Sequence, residues 1–199
     1  MKVVIIKYNA GNIFSVDYAL RRLGVEAEIT GDIAKIQSAD KVIFPGVGEA
    51  ETTMNYLKEH KLDEVIKSLK QPTLGICIGM QLMCQSSEEA VSGLVPCLGI
   101  FPEQVKRFAP AQPNVKVPHM GWNTITDRKS PLFVGLPDEA YFYYVHSYYA
   151  TLGEETIAQT DYIHPYSAAL HKDNFYAVQF HPEKSGAMGE IVLRNFLNL

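Results

Sequence analysis

Cys77, His181 and Glu183 have the residue types and surroundings of nucleophilic amide chemistry. Cys77 sits in Gly75-Ile76-Cys77-Ile78-Gly79, a nucleophile-elbow pattern G-x-S-x-G with cysteine in place of serine. A sharp strand-to-helix turn pushes the central side chain outward, and the flanking glycines relieve crowding around it. The helix N-terminus that follows favours thiolate over thiol. Standing alone, the motif suits a buried structural cysteine equally well. Cys84 and Cys97 lack such flanks and read as inert.

A thiolate nucleophile requires an acid that can protonate a leaving amine. Of the six histidines, His181 stands out because it ends the apolar run Tyr176–Phe180 and precedes Pro182-Glu183. On an extended backbone, residues i and i+2 face the same side, about 6–7 Å apart. Glu183 is long enough to reach back, accept the ring N–H, fix the tautomer and stabilise the cation. Taken alone, His-Pro-Glu also suits a solvated turn. Amide hydrolysis builds charge on the carbonyl oxygen, and backbone N–H donors must meet it. The N–H of Ile78 is one candidate. The second is Val47 in Pro45-Gly46-Val47-Gly48, where glycines on both sides let the peptide plane turn freely. A nucleotide loop does not fit there, since Glu51 replaces the third glycine and no G-K-[ST] occurs.

These residues need a scaffold, and the first half of the chain supplies an alternating one. Lys2–Ile6, Glu26–Ile29, Lys41–Phe44 and Thr73–Ile76 read as buried strands. Helical spacing recurs at Val16, Ala19, Leu20 and Leu23, at Leu62, Val65, Ile66 and Leu69, and after Cys77. The pattern predicts a mostly parallel α/β sheet with helices on both faces. From about Leu98 the chain turns to extended segments: Ile100–Phe108, Val115–Ile125, Tyr141–Tyr149, Ala168–His171 and Tyr176–Phe180. They predict an additional antiparallel region, closed by a helix after Ser185. No linker divides the chain, so residues 1–199 read as a single domain.

Composition narrows the classes further. Hydrophobic residues are 47% and charged residues 20% of the 199, which excludes disorder. A net charge of −4 with no basic run argues against nucleic acid or an anionic membrane as partner. No apolar stretch has the length of a membrane span or a signal core. Three cysteines without a CxxC pair suggest a reducing, cytoplasmic setting.

The order strand–Cys–helix followed by a late strand–His–Pro–Glu resembles the class I (triad-type) glutamine amidotransferases, whose fold is flavodoxin-like, and the likeness runs over essentially the whole chain. It implies that Cys77, His181 and Glu183 form the catalytic triad and that Val47 and Ile78 form the oxyanion hole. It also implies that Gly46, Gln81, Glu89, Tyr143, His146, Ser147 and Tyr148 bind glutamine, without cofactor or metal. Within the family, Ile5–Val16 and Pro118-His119-Met120-Gly121-Trp122-Asn123 resemble the glutaminases that serve imidazole glycerol phosphate synthesis. Lys7 and Asn9 depart from the aspartate and glycine common there. This branch implies ammonia delivery to a (β/α)8-barrel cyclase subunit in histidine biosynthesis, with Asn12, His119, Met120, Trp122 and Asn123 at the interface. Two other enzymes compete: the glutaminase of pyridoxal phosphate synthase, which lacks the Pro118–Asn123 segment, and a stand-alone γ-glutamyl hydrolase, which would need no partner. A binding module descended from the family would be expected to lose a triad residue, and this chain keeps all three.

Overall fold

Three apolar runs of the first half become strands buried on both faces, β1 (Val3–Ile6), β3 (Lys41–Phe44) and β4 (Thr73–Ile76), and the run at 26–29 becomes the half-buried edge strand β2 (Ala27–Thr30). The structure, a computed structural model, describes residues 1–9, 13–91, 93–110 and 115–199, so Asn12 lies outside the described residues. Side chains alternate across β1: Val3 and Ile5 enter one apolar core, Val4 and Ile6 the other. The sheet therefore needs helices on both sides. On the first side lies α1 (Ile13–Arg22), which buries Ile13, Val16, Ala19 and Leu20 and ends at Gly24 with φ +78°. Burying Leu20 fully is worth about 1.5–3 kcal/mol, more than the propensity of any single position in a helix this short.

The other side carries α2 (Ile33–Gln37), α3 (Ala50–Glu59), α4 (Leu62–Ser68) and α5 (Ile78–Met83). Asp32 caps α2 by accepting the Lys35 N–H at 3.0 Å, and Glu49 caps α3 through the Thr52 N–H at 3.4 Å. Neither α2 nor α3 follows from the sequence pattern. The buried stripe of α3 includes Thr53 beside Met54 and Leu57, which blurs its periodicity.

The second half extends the same sheet. Its strands are β5 (Ser86–Ser87), β6 (Val95–Pro96), β7 (Gln104–Arg107), β8 (His119–Thr124), β9 (Tyr141–His146), β10 (Tyr148–Ala150), β11 (Thr156–Asp161), β12 (Pro165–Lys172) and β13 (Phe175–Val178). Among the described residues the main sheet runs β2-β1-β3-β4-β13-β12-β10-β7-β5-β6, with β11 on β12. It is parallel from β2 to β13 and antiparallel across β12, β10 and β7. β8 and β9 form a separate antiparallel ribbon. Tyr141–Tyr149 is thus not one strand: the chain leaves the ribbon at Ser147 and enters the main sheet as β10. The closing helix, α6 (Gly186–Leu197), packs Val192, Leu193 and Phe196 into the α1 side of the core.

Candidate active site

The carboxyl ends of β4 and β13, which are parallel neighbours, bring Cys77 and His181 together. Cys77 links β4 directly to α5 with φ 53° and ψ −109°, a conformation strained for a residue with a Cβ. The neighbouring glycines are what allow it. A Cβ on Gly79 would lie 2.1 Å from the Phe44 carbonyl oxygen, and one on Gly75 would lie 2.9 Å from the Met83 sulfur. As the first residue of α5, Ile78 has an N–H with no partner inside the helix.

His181 is buried, and its Nδ1 pairs with Glu183 Oε1 at 2.8 Å. The pairing is not made along an extended strand, as the i, i+2 spacing predicts. Residues Pro182–Lys184 form a 3-10 turn that curls the glutamate back under the ring. Ser185 holds this turn: its hydroxyl donates to the His181 carbonyl at 2.6 Å and accepts the Tyr143 N–H at 3.0 Å. The Tyr143 carbonyl in turn accepts the His181 N–H at 2.9 Å. Gly189 of α6 lies behind the turn, where a Cβ would sit 1.8 Å from the Pro182 carbonyl oxygen.

Burial by itself lowers the His181 pKa, but the Cys77 sulfur and the Glu183 carboxylate outweigh it and raise it from 6.5 to about 10. At neutral pH the ring is therefore an imidazolium beside the sulfur, with a proton to give. Its Nε2 makes no hydrogen bond of aligned geometry, and the Cys77 sulfur is the charge partner beside the ring.

A cleft of about 330 Å³ opens at Cys77, lined by Val47, Gly48, Ile78, Gln81, Glu89, Pro118, Val145, His146, Ser147 and Tyr148 among others. That volume suits a single amino acid. Glu89 stands at one side, accepting the Ala50 N–H at 3.1 Å. Burial raises its carboxyl from 4.5 to about 7, opposed by the Ala50 bond and reinforced by Glu49.

Two residues expected to bind substrate lie next to the cleft lining. Gly46 is buried beside the lining residues Val47 and Gly48, where a Cβ would strike Ile78 and the Tyr8 hydroxyl, so it lets the loop pack closely. The Tyr143 side chain lies edge-on to Trp122, under Lys184 and tilted against the His181 ring at 6.4 Å between centroids, while its backbone bonds His181 and Ser185. His146 reaches the cleft but is already engaged. Its Nδ1 faces the Tyr148 carbonyl at 2.7 Å and its Nε2 the Tyr166 hydroxyl at 3.2 Å. Burial drives its pKa down to about 3, so it stays neutral.

The expected interface segment also divides. Met120 and Trp122 are 64% and 56% exposed on the outer face of the ribbon, opposite Val145 and Tyr143. His119 is turned inward, stacked between Tyr144 and Tyr162, with its pKa lowered by burial to about 4. The Asn123 side chain bonds internally to the Asp161 carbonyl. Strand alternation sends 119 and 123 to one face and 120 and 122 to the other, so His119 is buried and Asn123 is half-buried with its amide turned inward.

Three residues at the site, Tyr8, Gln179 and Ser185, have no motif that marks them in advance. The buried Tyr8 hydroxyl donates to the Pro45 carbonyl at 2.5 Å and anchors the Gly46–Gly48 loop. The Gln179 side-chain N–H points at Cys77 Sγ from 3.7 Å. Ser185 carries only a faint signal, its closeness to the His-Pro-Glu turn. Among the described residues no helix is long and apolar enough to cross a membrane.

Comparison with known proteins bears on the family of the chain and on its fold. The family model "Glutamine amidotransferase class-I" matches residues 4–199. The chain is 66% identical over 199 residues, the full length of both, to a Bacteroides thetaiotaomicron protein named imidazole glycerol phosphate synthase subunit HisH. A Photorhabdus laumondii protein of the same name is 48% identical over 203 residues, again covering all of both chains. Among solved structures, a putative GMP synthase protein from Thermoplasma acidophilum matches with TM-score 0.75 at 21% identity, covering 100% of this chain and 93% of that one. A structure titled glutamine amidotransferase gives TM-score 0.75 at 20% identity, covering 100% and 98%.

Proposed function

This chain belongs to the class-I glutamine amidotransferases, and from that premise we propose that it is the glutaminase subunit of an imidazole glycerol phosphate synthase, acting as one domain over residues 1–199. The observation that carries the proposal is the strained Cys77 elbow facing a buried His181–Glu183 pair at a cleft with room for one amino acid. The Cys77 thiolate attacks the glutamine side-chain carbonyl carbon. Negative charge gathers on its oxygen, to be met by the N–H groups of Ile78 and Val47. His181 gives its proton to the departing nitrogen, and ammonia leaves behind a γ-glutamyl thioester. The neutral imidazole then takes a proton from water, the hydroxide attacks the thioester, and glutamate leaves as the thiolate re-forms. Glu183 stabilises the imidazolium throughout. Above a pKa near 7 the Glu89 carboxylate is charged and suited to the substrate's ammonium group.

The ammonia passes to a cyclase barrel, the partner implied by the relatives' name, for histidine biosynthesis in the cytoplasm. Exposed Met120 and Trp122, with Tyr141 on the same ribbon, form an apolar surface that runs by way of Val145 to the cleft. Aromatic anchors of this kind dominate interfaces. Two measurements test the reading. A glutamine-like diazo-ketone is expected to label Cys77 and stop ammonia release. Labelling at Cys84 or Cys97, with Cys77→Ala still active, would overturn it. Trp122→Ala is expected to weaken association with the cyclase or uncouple hydrolysis from cyclisation, and normal association with normal coupling rejects the surface.

A further inference from the structure

Four polar groups between the cleft and the core obey a single donor–acceptor logic. The Tyr148 carbonyl can only accept, so the Gln81 side-chain atom 2.9 Å from it is the amide nitrogen. The same Gln81 nitrogen lies 2.9 Å from a Gln179 side-chain atom, which must then be oxygen. The Gln179 nitrogen is left facing Cys77 Sγ at 3.7 Å. Gln179 is fully buried, and nothing in the triad mechanism uses it. We propose that Gln179 is the hydrogen-bond donor that holds the Cys77 sulfur as a thiolate, and that Gln81, fixed by the Tyr148 carbonyl, locks the Gln179 amide in that orientation.

Two consequences follow for the glutaminase reading, on which this inference rests. Gln81 spends both amide hydrogens inside the protein, so toward the cleft it offers only its oxygen, an acceptor for a substrate N–H. The residue that touches substrate is therefore also the one that aims the sulfur's donor. The Tyr148 carbonyl is itself held from the far side. Because that carbonyl accepts, neutral His146 carries its proton on Nδ1, and its bare Nε2 takes the Tyr166 O–H. The Tyr166 oxygen is then free to accept from His119 Nδ1. Directional bonds thus run from the ribbon to the nucleophile, and His146 acts in them as a positioning residue.

The test uses the full-length chain without glutamine or partner and reads the rate of iodoacetamide alkylation at Cys77, mapped by peptide mass, across pH. Gln179→Leu removes the donor, and Gln179→Glu keeps the shape while placing an oxygen against the sulfur. Alkylation near neutral pH is expected to fall about tenfold in Gln179→Leu, with the profile displaced about one unit to higher pH, and further in Gln179→Glu. Gln81→Leu, which frees the Gln179 amide, is expected to show part of the same displacement although no substrate is present. Profiles that coincide with the parent in both Gln179 variants, in chains that melt cooperatively, overturn the donor role. A parental profile in Gln81→Leu overturns the locking role. Should Gln179→Leu not fold, the near-isosteric Gln179→Glu decides alone. Glutamate release by the parent chain with its cyclase is measured separately: its absence would reject the glutaminase reading and leave the alkylation result standing.

Discussion

Strands β1, β3 and β4 bury apolar side chains on both faces, whereas the antiparallel strands and the β8–β9 ribbon carry hydroxyls and imidazoles inward. In the first region the interior is largely valine, isoleucine, leucine and phenylalanine, with Lys41 and Thr73 buried only at the strand starts, and glycines where helix α5 meets the sheet. In the second, His119 and His146 bond the Tyr166 hydroxyl, Thr160 bonds Tyr144 and Ser167 bonds Thr156, with Ser167, Thr160, Tyr166, His119 and His146 all buried. The difference is one of labour. Dense apolar packing tolerates no shift, so it is where a strained nucleophile can be held. Directional polar bonds say which atom faces which, so they are where a cleft wall and its tautomers are set.

That division makes distinct forecasts. The largest effect belongs to the reacting groups at the ends of β4 and β13. His181→Ala is expected to lower glutamine turnover by about 10³–10⁴ or more, and Glu183→Gln by less, since the glutamate only holds and charges the ring. Equal and mild losses in a steady-state glutaminase assay would reduce the pair to a structural turn. Next comes Val47→Pro, which removes one N–H from the oxyanion loop. Turnover in the complex should fall about 10²–10³ while the melting temperature stays put, with Val47→Ala behaving like the parent.

A variant of the polar region should show the reverse signature. Tyr166→Phe leaves His119 Nδ1 and His146 Nε2 without their shared partner, at about 1–3 kcal/mol of stability. Thermal melts should record a loss of several degrees with turnover changed far less. If Tyr166→Phe instead cuts turnover as deeply as Val47→Pro at unchanged stability, the division fails. The smallest effect is one of pH. Glu89 has a carboxyl raised to about 7, so below that pH it is protonated and loses its hold on the substrate ammonium. The KM for glutamine should climb as the pH drops through 7, by about tenfold per unit at most, with kcat little changed, and Glu89→Gln should flatten that climb. The raised pKa also means that the folded chain binds this proton more tightly than the unfolded one. The group's contribution to stability is thus greatest at low pH and is lost as the pH rises through 7.

The same contrast explains what is legible in the sequence. β3 and β4 match their apolar runs end to end, because a strand buried on both faces announces itself locally. β11 is hidden because Thr156–Asp161 is half solvated and gains its identity only by pairing with β12. The break at Ser147 is a change of partner sheet, which no local spacing encodes. The triad is readable because each member sits in a short motif. Gln179 is not, because its task is defined by Cys77, 102 residues away in sequence. Residue 119 looks like surface only when the segment is taken whole, without the alternation that turns it inward.

Gly189 touches neither glutamine nor any member of the triad, yet the helix that carries it rests against the Pro182 carbonyl so closely that even a methyl group has no room. For anyone diversifying this sequence, the C-terminal helix looks like a place where only core positions such as Val192, Leu193 and Phe196 must be kept. Position 189 adds a constraint of another kind. In a library of random substitutions, inactive clones should accumulate at this glycine, and a map of tolerated change would trace the catalytic turn from behind.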